Sequence, residues 1–102
     1  MVNIHLQLEP QTEDRFQKIL AQHPSGEAFA QNIIAYQIAE FNRAILNLRL
    51  DIQSMEQKYQ LKTDAFYQQF QAGEWEDSED ALLWAGMIEM LRDNQNKLKE
   101  LE

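Results

Sequence analysis

Cysteine is absent from the 102 residues, which excludes disulfide frameworks, thiol catalysis and cysteine-ligated zinc or iron–sulfur centres. Glycine and proline are scarce, at three and two residues, so the backbone has few places to turn sharply. No apolar run approaches the roughly 18 residues of a membrane helix, and no basic stretch leads into an apolar one near the start. The chain is therefore expected to be soluble and cytoplasmic, without an export signal or a membrane partner. Nucleophile chemistry is equally thin. His5 and His23 fall on different expected elements, and Ser25, Ser54 and Ser78 have no histidine at helical spacing. Neither an enzyme nor a cofactor is expected.

What is present is apolar content of 44%, enough for a core, and a formal charge of −8 that is unevenly spread. Residues 1–50 hold four basic and five acidic side chains, whereas residues 51–102 hold five and twelve. The rear half would repel nucleic acid and attract a basic partner. Its densest run, Glu74, Glu76, Asp77, Glu79 and Asp80, lacks the spacing and central glycine of a calcium loop. It reads as a solvated first turn of the last helix.

The one strand pattern lies at the front. Val2-Asn3-Ile4-His5-Leu6-Gln7-Leu8 alternates without a fault, placing Val2, Ile4, Leu6 and Leu8 on one face and Asn3, His5 and Gln7 on the other. A lone strand leaves its backbone groups unpaired, so the pattern calls for a second copy and hence a homodimer. Asparagine and glutamine can bond bidentately to adenine edges and histidine can donate to guanine, so the polar face is a candidate for reading bases.

Helices follow. Pro10 marks a helix start that Thr12 can cap, Phe16, Ile19 and Leu20 its apolar face, and His23-Pro24-Ser25-Gly26 its end. Ser25 can cap a second helix beginning near Glu27. From Glu27 to Ala72 there is no glycine or proline. Within that stretch Ile34, Ile38, Phe41, Ile45, Leu48, Ile52, Met55 and Tyr59 recur at alternating steps of four and three. This is a heptad seam, compatible with a parallel pair of helices. Ala35, Ala39, Leu46 and Leu50 widen the stripe, and a further helix is expected to cover them. Leu61-Lys62-Thr63-Asp64 reads as a break and a new cap, Gly73 as a helix terminator, and Trp84, Met87, Leu91, Leu98 and Leu101 as one face of a last helix interrupted by Asn94. The aromatics Phe66, Tyr67, Phe70, Trp75 and Trp84 suit a core; beside the acidic turn they also suit anchors for a protein partner.

Val2–Leu8 as ribbon, Thr12–Gln22 as first helix, Pro24-Ser25-Gly26-Glu27 as turn and Ala28–Ile45 as second helix together resemble the ribbon-helix-helix fold of small prokaryotic repressors and antitoxins. The resemblance implies a mainly α dimer with one N-terminal β-strand, the two strands pairing in the major groove. It implies base contacts from Asn3, His5 and Gln7, and a phosphate docked at Ser25, Gly26 and Glu27 on the helix start. Two features depart from the family pattern. The ribbon has no lysine or arginine, and Glu27 places an acid where the phosphate would sit. Phosphate neutralisation would then fall to Arg15, Lys18, Arg43 and Arg49.

The rear segment, with Glu56-Gln57-Lys58-Tyr59-Gln60-Leu61, Phe66-Tyr67-Gln68-Gln69-Phe70, Gly73-Glu74, Asp77, Asp80 and Trp84, resembles a module of small bacterial and archaeal proteins suspected to be antitoxin components. The expected organisation is a dimerisation and DNA-binding unit over 1–45 and a long-helical, partner-binding extension over 46–102. The expected function is an antitoxin or autorepressor holding operator DNA and a basic, toxin-like partner. The alternative is a helical homodimer that binds no DNA and serves as an adaptor.

Overall fold

The computed structural model describes residues 2–102, which form four helices: α1 (Pro10–Ala21), α2 (Gly26–Tyr59), α3 (Thr63–Gln71) and α4 (Glu79–Leu101). By compactness the chain divides into a unit ending at Ala35 and a second unit, Tyr36–Glu102, with the boundary inside α2.

The expected ribbon is not observed. Val2–Glu9 has no regular secondary structure, and the described residues contain no strand. The ribbon-helix-helix fold is thereby corrected to an all-helical one, of which only the mainly α part stands. The alternation in Val2–Leu8 supplies a side-chain pattern, but a strand also needs a ladder of backbone partners. Beyond Glu9 the described residues form helices joined by short turns, whose backbone hydrogen bonds run mostly within the helices, so they offer no strand edge to pair with.

In the first unit, α1 starts at a proline that needs no N–H partner in the opening turn, and Glu9 precedes it without a side-chain cap. Thr12, read as the cap, lies inside the helix. The turn after α1 leads to Ser25, whose hydroxyl accepts from the Ala28 N–H at 3.1 Å, the expected cap of α2. Phe29 receives the Phe16 ring edge-on at 5.7 Å and the His23 ring at 5.4 Å. These contacts leave the unit thinly packed: no described residue up to Ala35 is buried.

The second unit is built around a reversal of the chain. α2 stops in a left-handed turn at Gln60 (φ 51°), with the Leu61 N–H returning to the Glu56 carbonyl at 3.2 Å. α3 stops the same way at Gly73 (φ 78°), where the Glu74 N–H reaches the Gln69 carbonyl at 3.0 Å. Both are Schellman-type ends; glycine meets the left-handed requirement freely, and Gln60 does so against its Cβ. The two stops bring α4 back along α2 in the opposite direction, so that Asp80 meets Lys58 near one end while Leu98 and Glu102 lie beside Ile45 and Asn42 near the other.

The core lies where these helices meet. Ile52 from α2, Phe66 from α3, and Ala81, Trp84, Ala85 and Ile88 from α4 form one buried cluster, flanked by Met55, Tyr59, Phe70, Trp75 and Leu91. Phe66 and Trp84 are 0% exposed and stack at 3.9 Å with 3° between their planes. Trp75 closes edge-on against Phe66 at 4.9 Å. Each indole N–H has a partner, Trp84 donating to the Thr63 hydroxyl at 3.2 Å and Trp75 to the Gln69 side-chain carbonyl at 2.9 Å.

Candidate partner-binding surfaces

The expected dimer seam divides by position. Ile45, Leu48 and Ile52 are buried, and Met55 and Tyr59 are half-buried against α3 and α4 of the same chain. Over this stretch the helix that covers the seam is the molecule's own α4. Toward the start of α2, Ile34 is exposed, and Ile38 and Phe41 are half-buried. Leu46 and Leu50, expected under a further helix, are exposed.

The aromatic anchors separate as well. Phe66 and Trp84 are consumed by the core, while Tyr67, Phe70 and Trp75 keep part of their surface. Tyr67 lies under the Arg92 guanidinium at 5.0 Å, and its hydroxyl donates to Glu89 at 3.5 Å.

The polar positions assigned to DNA stay apart from one another in role. Asn3, His5 and Gln7 are exposed on a segment without regular structure. Ser25 is occupied in capping, and the Glu27 carboxylate accepts from Gln31 at 2.8 Å. Gly26 begins α2. The opening turn of α2 thus carries its own acid and a serine already engaged, an arrangement unfavourable to a phosphate.

Two polar fixtures hold the second unit together, and neither was read from the sequence. The Asp80 carboxylate accepts from Lys58 Nζ at 2.6 Å and from the Tyr59 hydroxyl at 2.5 Å, joining the end of α2 to the start of α4. The Lys58 and then the Tyr59 hydrogen bond hold Asp80 below the usual carboxylate range, while bonding to Asp80 raises both Lys58 and Tyr59. At the start of α3 the Glu56 carboxylate accepts from the Thr63 N–H at 2.8 Å, supplying the cap that Lys62 does not. That backbone bond, and then the Thr63 hydroxyl, lower the Glu56 pKa. An acid seven residues before a threonine-led helix start would need the intervening Gln60 turn to be known before it could be read as a cap.

Uncovered apolar side chains remain in each unit. In the first, Ile4, Leu6 and Leu8 face Phe16 and Leu20 of α1 across an open groove of about 440 Å³. In the second, α4 carries Leu83, Met90 and Leu101 exposed outside its buried line. Among the described residues no group of three histidine or acidic side chains is arranged to hold a metal, and no helix is long and apolar enough to cross a membrane. The chain matches no protein-family model, no curated protein and no solved structure to a significant degree.

Proposed function

We propose that the chain is a homodimeric helical adaptor, with residues up to Ala35 as its self-association arm and the acidic Tyr36–Glu102 unit as its partner-holding body. The observation that carries this reading is the absence of any buried residue in the described part of the arm, despite its apolar content. Ile4 stands 75% exposed, and Leu6, Leu8, Ile19, Leu20, Ile33 and Ile34 are also open to solvent. Segments shorter than about 40 residues rarely build a core unaided and gain it by association. A second copy suits the arm because the arm is nearly neutral, with four acidic and two basic side chains, so two copies meet with little repulsion. Operator binding through Asn3, His5 and Gln7 drew its geometry from a paired ribbon, and it loses that basis with the ribbon.

Sedimentation of the full chain tests the reading. A dimer is expected, converting to monomer in Ile19→Ser/Ile33→Ser with the near-ultraviolet dichroism of the tryptophans unchanged. A wild-type monomer at concentrations of about 100 μM, weaker than the affinities of specific assemblies, would overturn it. Retardation of the chain's own promoter DNA at low salt would favour the operator reading instead.

A further inference from the structure

The outer face of α4 carries a second heptad line that the fold leaves largely uncovered. Leu83, Met87, Met90, Asn94 and Leu101 follow one another at steps of four, three, four and seven, the position passed over being Lys97, whose charge is paired with Asp93 at 3.0 Å. The line is turned roughly a third of the way round the helix from the buried Ala81, Trp84, Ala85 and Ile88. It also lies nearly opposite Glu89 and Arg92, the two residues that Tyr67 of α3 meets, so α3 covers the other flank. Leu83 is 51% and Met90 56% exposed; Met87 is half-buried at the edge of the core. Asn94 turns one side-chain N–H back onto the Met90 carbonyl at 2.8 Å. Gly86 stands beside the line with open space where a Cβ would be, which permits close approach.

We propose that this face seats a basic amphipathic helix of a partner protein. Leucine and methionine at helical spacing form the kind of surface into which such a helix lays its i, i+3, i+4 and i+7 side chains, methionine adapting to the shape presented. The charge of the surroundings selects the occupant. From Tyr36 onward the chain has thirteen acidic and seven basic side chains, and Glu74, Glu76, Asp77 and Glu79 lie exposed just before the line begins. None of those four is in an ion pair among the described residues. A second copy of this acidic unit would be repelled, whereas lysine and arginine flanking an apolar stripe would be attracted. The proposal rests on the adaptor reading for its biological sense and on α4 alone for its geometry.

The test uses the full chain and an amidated leucine–lysine peptide, labelled for anisotropy, with leucine at i, i+3, i+4 and i+7. Saturable binding at about 0.15 M salt is expected, at least about ten-fold weaker in Leu83→Ser/Met90→Ser. These substitutions touch exposed positions and leave the charge unchanged. Leu82→Ser, exposed on another flank of α4, is the matched control and should bind as the wild type does. The proposal is overturned by no binding, by equal binding to the double variant, by equal loss in Leu82→Ser, or by equal binding of a leucine–glutamate peptide. Sedimentation of the same samples separates the two readings. A monomer that binds the peptide removes the dimer and keeps the face, and a dimer that does not bind it removes the face alone.

Discussion

The units on either side of Ala35 have similar raw material and put it to different use. Both carry isoleucine, leucine and phenylalanine and each contains the serine cap of one helix, yet every buried side chain among the described residues belongs to the second. The difference is a returning helix. Beyond Tyr36 the chain reverses at Gln60 and Gly73 and lays α4 along the seam of α2. Up to Ala35 it has only the twelve-residue α1, whose Phe16 reaches Phe29 and whose Ile19 and Leu20 remain open. An apolar stripe becomes a core only where a second element is long enough to cover it.

The contrast is broken most directly at its centre. Trp84→Ala empties the stacking site against Phe66 and should cost about 3–5 kcal/mol in urea denaturation. A smaller loss would mean that the core is looser than its burial indicates. Gln60→Gly should stabilise the second unit by about 1 kcal/mol, because glycine accepts the left-handed turn without a Cβ clash. No gain would show that the turn carries little strain.

The caps sharpen the comparison because their geometry is the same. Ser78 accepts from the Ala81 N–H and Ser25 from the Ala28 N–H, each at 3.1 Å. Ser78→Ala should lower the global unfolding free energy by about 1 kcal/mol. Ser25→Ala should instead reduce helicity while leaving the unfolding of the second unit in place. Equal global losses would mean that the two units unfold as one.

The smallest effect is that of pH on the Asp80 clasp and the Glu56 cap. Both carboxylates titrate below their ordinary range when folded, so their contribution is complete above that range and is lost as pH falls through the folded values. Lys58 and Tyr59 are raised, so their share is complete below their ordinary values and is lost as pH rises through the folded ones. The urea midpoint should therefore decline at both extremes, with Asp80→Asn flattening the acid limb in part and leaving the Glu56 contribution.

Much of the helical layout was legible in the chain. Pro10, Ser25, the uninterrupted stretch through Tyr59, the break before Thr63 and the glycine at 73 mark where helices begin and end in the structure. What could not be read was the identity of a partner. A heptad seam specifies that a helix must cover it, and is silent on whether that helix belongs to another molecule or to the same one. From Ile45 onward α4 answers the demand, so the expected parallel pairing is not needed there. The alternation in Val2–Leu8 erred in the same way, because period-two side chains describe a face and carry no information about a hydrogen-bonding neighbour. Phe66 and Trp84 could be read as core or as anchors, and the short return of α4 decides for core.

Both tryptophans, Trp75 and Trp84, belong to the aromatic cluster of the second unit, within 6.2 Å of each other and beside Tyr59. Tryptophan emission therefore speaks for that cluster alone, and the arm up to Ala35 contributes none of it. A single sigmoidal emission curve would look two-state even if the arm had melted long before. Its divergence from amide dichroism, widening on dilution, is the signal by which the arm would announce itself.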